Sequence, residues 1–567
     1  MNRQTTKPGD NLRSGGRVLV DQLRLHGVDM AFGVPGESYL AVLDALHDTP
    51  ELRYVICRQE GGAAMMADAY GKLTGRPGIC MVTRGPGATN ASAGVHIAAQ
   101  DSTPMILLVG QVARGARERE AFQEVDYGRM FGDMVKWVAE IDQAERIPEF
   151  IGRAFHVATA GRPGPVVLAL PEDMLTDRVA VADAAPYRTP RAHPGAADMA
   201  RLRELLAAAK RPFVIVGGGG WTAQAVADLQ AFAEDNALPV GAAFRRQDRF
   251  DNSHASYAGD VGIGINPKLA ARISESDVLL VIGARLGEMT TGGYELIGIP
   301  RPRQTMVHVH ADPEELGRVY QADLPVAADM AAFTAAARAM APVASPPWRD
   351  WTVQAHADYL ENGETPVIPG PVQMGEIMAY LRRTLPPETI VTNGAGNYST
   401  WPNRFYPYRR FPSQLGPTSG SMGYGTPAAV AAKLVHPDRP VIAFAGDGCF
   451  LMNGQELATA VQYNLGIVVL LINNGMYGTI RMHQEREYPG RVVGTGLTNP
   501  DFAAVARAYG ALGETVERTE DFAPAFERVL AAGKPAVIDL HIDPEAITPK
   551  ASLSDIRADA LRKAAAR

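Results

Sequence analysis

Short apolar runs of four to six residues alternate along the chain with longer stretches whose apolar positions recur at helical spacing. A first series of runs lies at 30–34, 54–57, 79–83, 105–109 and 166–170, and most are followed by a helical pattern such as that over 63–72. A second series lies at 213–216, 239–243, 278–282 and 306–309, and a third at 390–393, 441–445, 467–472 and 536–540. An unbroken apolar run followed by a helical stretch marks a parallel strand buried on both faces and its crossover helix. The pattern predicts an α/β protein of three doubly wound parallel-sheet domains.

The alternation breaks where composition changes. Residues 176–194 are rich in Ala and Pro, and 342–371 carry six prolines, so both read as linkers. Domains are then expected at 11–178, 196–342 and 370–550. A tail at 551–567, Ala- and Arg-rich with helical spacing, reads as a terminal helix or lid. The first sixteen residues are polar and read as a frayed tail without the apolar stretch of a secretory signal.

Composition removes several classes of partner. The 55 basic residues are outnumbered by 62 acidic ones and form no long run, which disfavours nucleic acid. No apolar run approaches the roughly 20 residues of a membrane span. The three cysteines, Cys57, Cys80 and Cys449, lack CxxC spacing and suggest neither a disulfide framework nor a zinc site, so a reducing cytoplasm is expected.

The third series carries the clearest chemistry. The run 441–445 ends in Gly446-Asp447-Gly448, a helical stretch follows, and the next run ends in Asn473-Asn474. Parallel strands deliver their C-terminal ends to one sheet edge, where the Asp447 carboxylate and the Asn474 amide oxygen can meet. Hard oxygen donors suit Mg²⁺ or Ca²⁺, and a helix start behind glycines favours a phosphate that the metal would bridge to the protein. A metal diphosphate fits this pattern.

The spacing of GDG and NN resembles the signature of thiamine diphosphate-dependent enzymes, and the chain is most similar to their acetolactate synthase-like branch. That resemblance implies three domains: pyrimidine-binding, central and diphosphate-binding. It implies Asp447, Asn474 and the main-chain carbonyl of Met476 as Mg²⁺ ligands, with Gly446, Gly448, Cys449, Tyr477 and Gly478 around the diphosphate. Gly394-Ala395-Gly396-Asn397-Tyr398 matches a family segment that also touches the diphosphate. Met422, in Gly420-Ser421-Met422-Gly423, matches the apolar wedge between the two cofactor rings. In the first domain, Glu60 matches the glutamate set against N1′ of the aminopyrimidine, a positioned base for proton transfer. Pro35 and Gly36, the segment 85–90 and Phe122-Gln123 match stretches that approach cofactor and substrate. Because family members build the site from two subunits, a homodimer is the least assembly implied, with a tetramer also open.

The resemblance further implies decarboxylation of a 2-oxo acid and transfer of the remaining unit to a second carbonyl. A decarboxylase, lyase or oxidase on the same scaffold is the alternative, and a non-catalytic flavin- or nucleotide-binding subunit a distant one. The middle domain has Gly217 to Gly220 and Gly283-Ala284-Arg285 after apolar runs, where biosynthetic acetolactate synthases hold FAD. Here Leu286-Gly287-Glu288 departs from the family pattern, so FAD and an empty structural domain both stay open. The stretch from Thr479 to His483 should border the substrate space. His483 stands where the family commonly has a Trp that selects the larger acceptor, which predicts a weakened preference for 2-oxobutanoate.

Overall fold

The computed structural model describes residues 12–566. These form two compact units, divided after Pro190.

The first unit is one six-stranded sheet, all parallel, in the order Arg53–Ile56, Met30–Gly33, Gly78–Val82, Met105–Gln111, Pro165–Pro171, Trp137–Glu140. Ranked by chain position this is 2-1-3-4-6-5. The three central strands are buried throughout, which is why they read as unbroken apolar runs. The helix Glu60–Thr74 starts where the Gln59 side chain accepts from the Gly62 amide at 3.0 Å, and it stops at Gly75, whose φ of +70° a side chain would strain.

The second unit holds two more six-stranded parallel sheets. The middle one runs Tyr257–Val261, Val240–Ala243, Pro212–Val216, Val278–Ile282, Thr305–His310, Leu324–Ala327, an order of 3-2-1-4-5-6 by chain position. That is the order of dinucleotide-binding sheets. The last runs Gln414–Leu415, Ile390–Asn393, Val441–Gly446, Ile467–Asn473, Ala536–His541, Leu512–Val516, again 2-1-3-4-6-5. The first and last domains therefore share one topology, and each has its switch point between its first and third strands.

The expected linkers are more structured than their prolines suggest. Residues 178–187 stay with the first domain: Arg178–Val179 pairs with Arg13–Ser14 in a separate two-stranded sheet, and the Tyr187 amide donates to His26 Nδ1 at 3.1 Å. Within 342–371 the helix Arg349–Asn362 packs on the middle sheet, with Trp348 buried and its indole N–H on the Asn236 carbonyl at 3.0 Å. Apolar anchors such as these outweigh a proline-rich composition. The expected frayed N-terminus falls on residues outside those described as far as 11; beyond them, Arg13–Ser14 is a strand and Ser14 caps the helix Gly15–Leu25.

Candidate functional site

The register of the last sheet sets the site. Gly446 pairs with Ile472 across the parallel strands, so Asp447 and Asn473 leave the sheet side by side at the switch-point edge. Asp447 is 3% exposed, and both carboxylate oxygens accept from neutral donors: Oδ1 from the Gly448 amide and Oδ2 from Asn499 Nδ2, each at 2.8 Å. Burial pushes its pKa above the usual carboxylate range, against the opposing pull of the amides of Gly448, Gly475 and Met476 and of Asn499. Asn499 also donates to Asn473 Oδ1 at 2.9 Å, while its own Oδ1 is buried without a partner.

Both glycines of the motif are required by close approach. A Cβ on Gly446 would stand 2.9 Å from the Tyr398 ring, and one on Gly448 only 2.5 Å from the Tyr477 ring. Asn474 lies against the helix Gly478–Glu487, its Nδ2 3.0 Å from where a Gly478 Cβ would sit. Met476 bridges antiparallel to Gly496, so the segment 494–499 folds back over 475–477 and brings in Asn499. The buried Asp447 carboxylate, with the Asn474 amide oxygen and the Met476 carbonyl that the resemblance adds to it, would offer an all-oxygen donor set. With a partnerless oxygen on Asn499 and a carboxylate whose charge burial disfavours, the residues fit a hard divalent cation.

The neighbouring segments converge on one thiol. Cys449 Sγ accepts from the Gly423 amide at 3.1 Å and lies 3.0 Å from the Tyr398 hydroxyl, which itself accepts from the Gly394 amide at 3.1 Å. Gly394, Tyr398 and Cys449 are buried, Ala395 and Gly396 are half-buried, and Met422 packs partly buried on the core beside them. The Asn397 side chain is held by the protein: Oδ1 accepts from Thr479 Oγ1 and Nδ2 donates to the Ile547 carbonyl, both at 3.0 Å. His483 is exposed on its unit, with Arg486 3.4 Å from its Nδ1.

In the first unit, Glu60 is the first residue of its helix and is half-buried, and its Oε2 accepts from Asn90 Nδ2 at 2.9 Å. Pro35 is exposed at the end of the first strand, and Gly36 abuts Thr83, where a Cβ would lie 2.5 Å from the Thr83 Cβ. Phe122 is 72% exposed and Gln123 takes a φ of +65°, its carbonyl accepting from the Gly85 amide at 3.0 Å. Glu124 fixes this loop by accepting from the amides of Glu118 and Ala121.

Three family profiles cover the chain in order: the N-terminal TPP binding domain over residues 13–130, the central domain over 199–337 and the C-terminal TPP binding domain over 394–540 of thiamine pyrophosphate enzymes. The chain belongs to the thiamine pyrophosphate enzyme family. It is 32% identical to the acetolactate synthase large subunit of Corynebacterium glutamicum, over 96% of this chain and 90% of that one. Against an acetolactate synthase of Mycobacterium bovis the identity is 33%, over 94% and 88%. Against the isozyme 2 large subunit of Escherichia coli K12 it is 31%, over 94% and 96%.

Two features of this thiamine pyrophosphate enzyme escape a reading of its motifs: the place of Asn499, and where the terminal helix expected from the tail docks. Asn499 lies 25 residues beyond Asn474 in an otherwise ordinary Thr-Asn-Pro stretch, and only the fold-back brings it to Asp447. The tail is the helix Leu553–Ala565, docked on Gly478–Glu487 by Leu553 and by Arg557, whose guanidinium grips the buried Glu485 carboxylate at 2.6 and 2.7 Å. That pairing, aided by the Gly490 amide and Arg481, holds Glu485 at about 2. The folded-state value lies below the unfolded one of about 4.3, so its stabilisation is complete above that pH and lost as pH falls through 2. Hydrogen exchange over 553–565 should therefore stay slow to well below pH 4 in the parent, and become fast at neutral pH in Arg557→Ala.

Proposed function

We propose that this enzyme decarboxylates pyruvate and joins the remaining two-carbon unit to a second carbonyl compound, as an acetolactate synthase. The observation that carries this reading is the buried Asp447 carboxylate at the switch point, in a chain whose similarity to acetolactate synthases runs nearly end to end. When bound, thiamine diphosphate supplies the electron sink for the carbon that loses CO₂.

The residues of the chain have distinct tasks in this reading. Asp447, Asn474 and the Met476 carbonyl would hold Mg²⁺, and the 394–397 and 446–449 turns with Tyr477-Gly478 would surround the diphosphate. Tyr398 and Cys449 brace those turns from beneath, and Thr479 fixes Asn397. Met422 supplies the apolar wedge. Glu60, held by Asn90, would take up and return a proton at its carboxylate once the cofactor is bound. Phe122, Gln123 and His483 border the substrate. Because the resemblance implies a site built from two subunits, the assembly proposed is a homodimer or a homotetramer.

The middle sheet has the strand order of a dinucleotide site, and at its switch point a Cβ on Gly218 would clash with the Gly283 carbonyl, leaving a bare backbone cradle. FAD is the occupant the resemblance offers for it, held by Gly217 to Gly220 and Arg285. Flavin absorbance in purified protein supports this; a colourless protein fully loaded with thiamine diphosphate removes it. The three cysteines are buried thiols and, among the described residues, no helix is long and apolar enough to cross a membrane, in keeping with a proposed cytoplasmic location.

Incubation with pyruvate, thiamine diphosphate and Mg²⁺ should yield acetolactate, identified by mass spectrometry. With pyruvate and 2-oxobutanoate in competition, the product ratio should lack a strong bias to the larger acceptor, because an imidazole at 483 offers less apolar surface than an indole. A strong bias would refute the role given to His483, and no turnover of pyruvate would move the enzyme to another donor.

A further inference from the structure

The switch point of the first sheet holds a cation that no task above employs. Arg84 follows the strand Gly78–Val82 and is the N-cap residue of the helix Gly85–Asp101. Its side chain is only 8% exposed, whereas the carboxylates that face it are in water: Glu37, 66% exposed, at 2.7 Å from Nη2, and Glu172, 38% exposed, at 3.6 Å from Nη1. Arg84 Nε is buried with no partner.

This is an unusual division of cost. The guanidinium has been desolvated while its counter-ion remains hydrated, so the pair adds little to stability and leaves part of a planar, carboxylate-matching fork unused. A buried cation with a loosely held anion is arranged for exchange of that anion.

The surroundings suit a small organic anion. The Gly36–Glu37 turn lies on Thr83, with Ser38 Oγ 2.9 Å from Thr83 Oγ1. On the other side the Gly85 amide holds the Gln123 carbonyl, and Phe122 beside it offers an exposed apolar ring. We propose that Arg84 receives the carboxylate of the 2-oxo acid and that Glu37 is the resident counter-ion which that carboxylate displaces. The substrate class rests on the function proposed above; the exchangeable anion site rests on Arg84 itself.

The two readings of the pair, exchangeable and structural, differ in sign. If Glu37 competes with substrate, Glu37→Gln lowers the KM for pyruvate by about two- to fivefold, the range of an exposed ion pair. Arg84→Gln raises it at least about tenfold, through loss of a charged hydrogen-bond donor. The same order should appear in calorimetric titration of the enzyme, loaded with thiamine diphosphate and Mg²⁺, with oxamate, an unreactive isostere of pyruvate: tighter in Glu37→Gln, weaker in Arg84→Gln. Should Arg84→Gln fail to fold, Arg84→Lys, which keeps the charge without the fork, replaces it and should bind oxamate more weakly than the parent. Oxamate affinity unchanged or weakened in Glu37→Gln, or unchanged in the Arg84 variant, overturns the proposal. Pyruvate turnover with unmoved KM in both variants defeats this inference alone; a parent enzyme that turns over no 2-oxo acid defeats the earlier reading, and the oxamate titration then still judges Arg84.

Discussion

Asp447→Ala is expected to lose the cofactor: binding of thiamine diphosphate in the presence of Mg²⁺ should weaken at least about 100-fold. The figure follows from the effect of residues that merely support a metal ligand, whose removal already costs about 10- to 100-fold. Asp447→Asn separates charge from shape, since an amide oxygen can still accept from the Gly448 amide and the partnerless Oδ1 of Asn499 can turn to accept from the new amide nitrogen. Burial raises the pKa of Asp447, so at neutral pH its charge costs the cofactor-free protein stability, a cost present above the folded-state value and absent below the unfolded one. Asp447→Asn should therefore raise the melting temperature of the cofactor-free protein and lower that of the loaded one. Calorimetry showing unchanged affinity and metal dependence would refute the assignment.

Glu60→Gln should keep fold and cofactor but reduce turnover by about 10²- to 10⁴-fold, the usual weight of a positioned acid or base. The fold is safe because Asn90 Nδ2 can donate to an amide oxygen as it does to the carboxylate, and the loss of a negative charge in the first turn costs only about 0.3–1 kcal/mol. An amide cannot take up or return a proton at that position. The decisive measurement is the rate at which bound cofactor exchanges its C2 hydrogen for deuterium, and an unchanged rate in Glu60→Gln would remove Glu60 from proton transfer.

Apart from Arg53–Ile56, an edge strand that still shows as the run 54–57, the strands legible in the sequence and those that were not differ in one physical respect. Runs such as 105–109, 278–282 and 467–472 are buried on both faces, so they must be apolar at successive positions. Trp137–Glu140, Tyr257–Val261, Leu324–Ala327, Gln414–Leu415 and Leu512–Val516 gave no such run. All five are sheet edges. An edge strand has one neighbour, is often short or half-exposed, and admits polar residues such as those in Tyr-Ala-Gly-Asp-Val.

The site divides in the same way. That Asp447 and the Asn473-Asn474 turn reach one sheet edge could be read from the chain because each follows an unbroken apolar strand, and parallel pairing carries the ends of such strands to one edge whatever lies between. The role proposed for Glu60 came only through its resemblance to a known motif, since a glutamate at a helix start is ordinary by itself. Asn499 on Asp447, Asn90 on Glu60, Arg84 on Glu37 and Arg557 on Glu485 were decided by the tertiary structure. Periodicity and turn chemistry are local, so the sequence determined where the buried strands, their crossover helices and the glycine turns after them would lie. A polar side chain from a distant loop has no period to betray it, and its partner is set only when the backbone has folded back and burial has made an unpaired charge costly.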